Sequence, residues 1–295
     1  MTQSLDRPAL GIGLLLLALF LLASIDAIAK HLSETLALPQ ILAIRFWVFV
    51  VFALAIARRI GVVRAVRSAR PALQVLRALV MVGQMSAFIF AFSLMPLANV
   101  HAIAAVTPLL VTALAAIFLG EPIERRRAAA VGVGFLGVLV IIRPGTGVFD
   151  PTSVVALGGA ACWAVFQILL RAVSRHDAPE TTTLYSAVIG AACFSLAVPF
   201  VWQAPAPAAW TWLIAIGVMG SVGHYLLSLA FRYAPASTLQ PFAYSMPVWA
   251  ALLGWIVFDH VPDIWTVTGG AIVIGSGLYA LRVASRPADR AVSRP

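Results

Sequence analysis

Apolar residues run along this chain in blocks of about twenty, and polar residues collect in the short gaps between the blocks. The blocks read as helical spans at 9–30, 39–57, 72–94, 99–119, 128–143, 153–171, 181–201, 210–230, 237–258 and 264–282. Apolar side chains point in every direction around them, which suits helices surrounded by lipid and by one another. Proline punctuates the gaps, at Pro39, Pro71, Pro96, Pro122, Pro144, Pro151, Pro179, the Pro205/Pro207 pair, Pro235 and Pro262. Helices start or stop at such positions. The pattern predicts an all-α membrane protein with ten transmembrane helices.

One stretch occurs twice. FSLMPLANVHAIAAVTPLLVTALAAIFLGEP, from Phe92 to Pro122, aligns without a gap on FRYAPASTLQPFAYSMPVWAALLGWIVFDHV, from Phe231 to Val261. A constant offset of 139 puts Pro96 on Pro235, Pro108 on Pro247 and Glu121 on His260. Each copy reads as a Pro-marked turn, a hydrophobic helix with a mid-span proline, and a polar exit. A period of about half the chain means a duplicated domain and not a solenoid. The expected organisation is a first repeat over 1–143 (spans one to five), a linker at 144–152, a second repeat over 153–282 (spans six to ten) and a basic tail at 283–295.

Arginine fixes the expected orientation. With the N-terminus in the cytoplasm, sixteen arginines fall inside, from Arg7 through the Arg58–Arg70 and Arg125–Arg127 clusters to the tail. Only Lys30 and Arg143 fall outside, while Arg45 and Arg77 lie within spans. This bias places both termini in the cytoplasm. Five spans per half make the halves inverted repeats, an architecture that binds a solute near the midplane and exposes it to each side in turn.

Composition agrees and excludes other classes. Hydrophobic residues make up 62% and charged residues 11%, with a mean hydropathy of +0.99, where a soluble chain is about one-quarter charged. The net charge of +9 is explained by the inside bias; there is no basic aromatic platform for nucleic acid. Cys162 and Cys193 fall in apolar spans and read as small core residues. Arg7, the apolar run from Ala9 and Ala27-Ile28-Ala29 imitate a secretory signal, but the run is long for one, and it is expected to stay as span one. Without H-E-x-x-H, G-x-S-x-G or a P-loop lysine, the chain is not expected to be an enzyme or to use ATP. A membrane-embedded enzyme is the alternative class.

The motifs SLMPLA…P…FLGEP and FRYAPA…P…VFDHVPDIW, with DAIAKHL near span one and GVGFLGVLVIIRPG in span five, resemble the EamA-type drug/metabolite transporter superfamily over Gly11 to Arg282. The resemblance implies a multi-pass carrier of the bacterial inner membrane with a central cavity and no cofactor. Its partners would be a small-molecule substrate, the lipid bilayer and a proton or other ion gradient, with a monomer or homodimer as the unit. DAIAK, PQILAIRF, FAYSMPVWAALLGWIVF and VPDIW look most like members that take up riboflavin or S-adenosylmethionine. Riboflavin uptake is the first expectation; S-adenosylmethionine, amino-acid or drug transport, inward or outward, is the alternative. His260 departs from the glutamate many second repeats carry there.

Ionisable groups inside a span cost roughly 2.5–3.5 kcal/mol on insertion scales, so each is a candidate site residue. Asp26 can pair with Arg45 or with Lys30, one turn on; snorkelling of the longer partner is the alternative. Gln167 and Arg171 repeat the four-residue spacing in span six. His101 and Gln240 are equivalent at offset 139, and His101 can couple transport to protons. Gln84, His224 and Tyr225 lie at cavity depth in spans three and eight. Pro108 and Pro247 are expected to interrupt their helices and act as hinges, which makes Thr107, Tyr244 and Ser245 cavity-lining candidates. Trp163, Phe166, Phe242, Tyr244 and Trp249 can stack on a flat ring, helix or lipid packing being the bland reading. Trp202, Trp210, Trp212 and Trp265 read as interfacial belt. Glycines 132, 134 and 137, 217, 220 and 223, and 269–277 read as sites of close helix approach.

Overall fold

A computed structural model describes residues 7–119, 125–143, 151–174, 176–234, 239 and 242–284. Among these, α1 (Pro8–Leu32), α2 (Leu38–Ala57), the short α3 (Val62–Val66), α4 (Pro71–Leu94), α5 (Leu97–Ala104), α6 (Thr107–Leu119) and α7 (Arg125–Ile142) form the first repeat. The second comprises α8 (Thr152–Ser174), α9 (Pro179–Ser195), the short α10 (Val198–Val201), α11 (Pro207–Tyr233), α12 (Ser245–Phe258) and α13 (Ile264–Ala284). Five helices, α1, α2, α4, α8 and α11, are long and apolar enough to cross a membrane; the remaining apolar segments are shorter. The protein is an all-α, multi-pass membrane protein built from two inverted five-span repeats. Glu121, Gln240, Pro235, the linker at 144–150 and the tail from 285 lie outside the described residues.

Proline sets most helix starts. Pro8, Pro39, Pro71, Pro179 and Pro207 each occupy the first turn of their helices, where a missing N–H costs nothing and the fixed φ is already helical.

Span four departs from the expected single helix. It stops at Ala104 and restarts at Thr107. The reason is Pro108, whose ring would clash with the carbonyl four residues back if the helix ran on. Breaking the helix moves Pro108 into the first turn of α6. The N–H groups of Leu109 and Leu110 then bond the Val106 carbonyl at 2.9 and 3.0 Å. Span nine behaves alike: Phe242 and Ala243 are helical, Tyr244 turns, and α12 begins at Ser245, with Pro247 in its first turn. Neither proline therefore kinks a continuous helix. Span seven also divides, into α9 and α10 around Leu196 and Ala197.

The repeats do not pack as two separate halves. The most extensive contacts are α7 with α13, α1 with α11, α4 with α8 and α2 with α9, and each joins one repeat to the other. They obey the internal symmetry: α1 packs on α11 and α12 as α8 packs on α4 and α6, and α2 on α11 as α9 on α4. Sliding one sequence half against the other as a rigid body would break all four packings. Any moving unit must mix helices from both repeats. Small residues permit the closest approach. A methyl on Gly137 would lie 2.9 Å from the Gly269 carbonyl, and one on Gly269 would lie 2.6 Å from that of Gly137. In lipid, such contact takes the place of the hydrophobic drive between helices.

Polar networks tie the two ends. At the arginine-rich end, Arg77 of α4 is 1% exposed. It donates to Gln74 Oε1 (3.1 Å), the Thr182 carbonyl (2.8 Å) and Ser186 Oγ (2.8 Å), and lies 5.4 Å over the Phe166 ring. Gln74 Nε2 in turn donates to Asp177 Oδ2 (2.8 Å), which also accepts from the Ser68 hydroxyl, while the Ala69 N–H donates to Oδ1 (2.8 Å). The network joins α4, α9 and the two loops before them. At the other end, Lys30 Nζ donates to the Phe92 carbonyl in the last turn of α4 (2.6 Å) and to that of Met95 just beyond it (3.1 Å). Asp263 caps α13 through the Thr266 N–H (2.7 Å) and pairs with Arg143.

Asp177 gives the first network a pH limit. Burial raises its carboxyl, but the bonds from Ser68, Ala69 and Gln74 outweigh burial and hold it below the usual carboxylate range. A depressed folded-state pKa stabilises the fold above the unfolded value and loses that contribution as pH falls through the depressed one. Melting temperature in detergent is therefore expected to hold steady on acidification to about pH 4 and to fall below it. Asp177→Asn should lower the neutral-pH value and flatten this acid step. An unchanged acid limb in that variant would separate Asp177 from acid stability.

Candidate functional site

A central cavity gathers polar side chains from several spans, Asp26, Arg45, Gln84, His101, Thr107, Gln167 and His224 among them. About 850 Å³ of empty space lies between its walls, part of it open to the outside. α1 contributes Leu19, Leu22, Ile25 and Asp26, and α2 contributes Arg45. Gln84, Met85, Phe88 and Ile89 come from α4, and Trp163 and Gln167 from α8. His101, Thr107 and Pro108 flank the break in span four; Tyr244 and Pro247 flank the break in span nine; His224 comes from α11. The two broken helices meet at this cavity because each proline stops its helix at that depth. The breaks also place the turn residues, not a smooth helical face, against the empty space.

Asp26 has a different partner from either one expected. His101 Nε2 stands 3.2 Å from Asp26 Oδ2, without an in-line hydrogen bond, and its ring stacks on Phe92 at 5.3 Å and 24°. Lys30 is spent on the Phe92 and Met95 carbonyls. Arg45 makes no ion pair with Asp26, although the carboxylate's charge acts on it. It lies over Gly220 of α11 instead, 3.0 Å from Nε to where a β-carbon would stand. Thr107 Oγ1 reaches the Ala160 carbonyl at 3.4 Å. Trp163 stacks on Phe166 (5.0 Å, 10°), and His224 on Phe49 (6.1 Å, 24°).

Several buried polar atoms here have no hydrogen-bond partner: Gln84 Oε1, His101 Nε2, His224 Nε2 and Tyr244 OH. Buried polar atoms are ordinarily bonded, and the four residues that carry these orphans all line the cavity. Tyr244 reaches its position because Gly277 of α13 leaves room for the phenol end.

Tyr225 does not join them. One residue from His224, it is turned about 100° around α11 and stands edge-on to Phe52 at 6.0 Å. Gln240 lies outside the described residues. Trp249 packs edge-on to Phe20 (5.3 Å), and Phe242 is exposed. The Arg77 network escaped the sequence reading. Gln74 and Arg77 share a face of one apolar span, and the Thr181–Thr183 run follows Asp177; these were the available signals. A second, smaller pocket of about 280 Å³ lies against Arg77, Phe166, Thr182 and Ser186 and shares His224 with the central cavity.

Comparison with known proteins gives this architecture its kin. A riboflavin transporter of Brucella anthropi is 29% identical, over 88% of this chain and 94% of its own. An S-adenosylmethionine uptake transporter of Rickettsia bellii is 26% identical, over 95% and 96%. The pseudopaline exporter CntI of Pseudomonas aeruginosa is 29% identical, over 92% and 95%. A chain of a solved crystal structure superposes with a TM-score of 0.66 at 21% identity, covering 94% of this chain and 99% of that one. The model of one family, described as the EamA-like transporter family, matches twice, at residues 9–143 and 151–282. Two matches that fill the chain, one on each inverted repeat, place it: the chain belongs to the EamA-like transporter family.

Proposed function

We propose that this small-metabolite transporter is a secondary carrier that takes up riboflavin across the bacterial inner membrane by alternating access. The observation that carries the reading is the central cavity, walled by apolar and aromatic side chains and studded with polar atoms that lack partners. A flat ring system would meet an aromatic wall in Trp163, which lines the cavity with Phe166 stacked on it, and its polar edge would supply what Gln84, His224 and Tyr244 lack. Relatives named as riboflavin transporters support the substrate. The arginine bias supports cytoplasmic termini. The breaks at Pro108 and Pro247 give the helices beside the cavity two places to flex while the interleaved packing stays whole. The Asp26–His101 pair, inside the cavity, is the element that binds a proton or other ion and links it to the solute.

S-adenosylmethionine is the second reading, favoured by the Asp26 carboxylate on the cavity wall, which suits a sulfonium. Uptake of labelled riboflavin, S-adenosylmethionine and a mixed amino-acid pool into proteoliposomes, with and without a pH gradient, decides between them. The expected result is saturable riboflavin uptake that responds to the gradient. Saturable uptake of S-adenosylmethionine alone would replace the substrate, and uptake of none would turn the assignment toward export.

A further inference from the structure

Arg45 is the anomaly among the buried cations. Arg77 makes three hydrogen bonds, Lys30 caps two carbonyls, and Arg143 pairs with Asp263. Arg45, in the middle of α2 and 5% exposed, has neither a hydrogen bond nor an ion pair with any described residue. A buried charge without a partner costs several kcal/mol, and folds keep such a group when it serves a site. The surroundings are built for it. Gly220 leaves the guanidinium its room, and the cavity opens before it. Asp26, the obvious counter-ion, is taken by His101.

We propose that Arg45 anchors the transported solute by gripping a pair of adjacent, coplanar acceptor atoms. A guanidinium presents paired N–H donors in a plane, which matches two such acceptors far better than one. A carboxylate has this form, and so does a ring nitrogen beside a carbonyl on the edge of a flat heterocycle. Each carries an N–H donor nearby, on the imide nitrogen next to that carbonyl in the heterocycle and on the adjacent ammonium in an amino acid. Gln84 Oε1, an orphan acceptor on the same cavity, takes that donor. The inference rests on the central cavity being the transport site, and it narrows the solute to this donor–acceptor pattern. A substrate that is only cationic, or only apolar, leaves Arg45 stranded.

The test uses the full chain in detergent. Melting is followed with no ligand, with riboflavin and its N3-methyl derivative, and with S-adenosylmethionine and its decarboxylated form. Arg45→Met is expected to leave the ligand-free melting temperature unchanged or raise it, because it removes a charge that nothing bonds. The same variant should weaken the stabilising ligand about 10- to 100-fold. Arg45→Lys should fall between, since it keeps the charge but loses the fork. Gly220→Ala, which crowds the guanidinium, should weaken the ligand and leave the charge in place. Loss of binding on N3-methylation assigns the imide, and loss on decarboxylation assigns the carboxylate.

Stabilisation by S-adenosylmethionine alone, abolished in Arg45→Met, would end the riboflavin reading and keep the anchor. A ligand-free melting temperature that collapses in Arg45→Met would overturn the proposal, as would undiminished binding. Failure of both probe pairs to stabilise the wild type would overturn the ligand class.

Discussion

Arg77→Met is expected to be the most destabilising single substitution in the chain. Its side chain is buried between α4, α8 and α9, and the three groups it bonds belong to neutral side chains and a backbone carbonyl. Methionine fills much of the volume but removes all three donated bonds, leaving the Thr182 carbonyl with its bond from the Ser186 hydroxyl. Hydrogen bonds to a charged group contribute about 1.5–3 kcal/mol each, so a total of about 3 kcal/mol or more is expected. The damage should spread to Gln74 and through it to Asp177 and the Ser68 loop. Arg77→Lys should recover part of the loss, because an ammonium can still reach one or two of the acceptors. Thermal melting of the purified variants reads this directly. A wild-type melting temperature in Arg77→Met would show that the network does not hold its end of the bundle closed.

The other end uses different chemistry at the equivalent positions. The repeat offset of 139 puts Leu213 and Ile216 where α4 has Gln74 and Arg77. Aligning Pro39 with Pro179 puts Leu42 and Phe46 where α9 has Thr182 and Ser186. All four of these side chains are fully buried. At these equivalent positions, then, one end is joined by directional hydrogen bonds and the other by apolar contact.

Asp26→Asn carries the second large effect, on transport and not on stability. The carboxylate faces His101 at 3.2 Å and is the negative charge acting on Arg45. An amide keeps the shape but removes the charge from both relationships. Uptake in vesicles is expected to fall about 10- to 100-fold, with membrane insertion and melting temperature close to wild type. His101→Gln should cause a comparable drop and also remove the response to a pH gradient. Wild-type uptake in Asp26→Asn would return that residue to a packing role and remove the pair from the coupling scheme.

The spans and the duplication were legible because both are written in runs. Long apolar blocks cut by proline survive any uncertainty about packing, and a gapless offset across Pro96, Pro108, Pro235 and Pro247 is visible to the eye. Depth in the membrane was also legible, which is why Asp26, Arg45, Gln84, His101 and His224 converge on one cavity. Direction around a helix was not. His224 and Tyr225 have the same depth, yet only the first meets the empty space. Partner choice was equally hidden. Spacing offered Arg45 and Lys30 to Asp26, and the break at Ala104 instead brought His101 to it by setting where α5 ends. The Arg77 network was beyond reach for another reason: its bonds join residues more than 100 positions apart, across an interface that only the interleaving of the repeats creates.

A cavity that carries a small metabolite by exposing one site to each side in turn should support counterflow, in which proteoliposomes loaded with unlabelled riboflavin are diluted into a trace of labelled riboflavin. An alternating site exchanges one molecule for another, so label should rise transiently above its equilibrium level and then decline. Label that enters at the same rate with and without internal riboflavin, and never overshoots, would rule out an alternating riboflavin site.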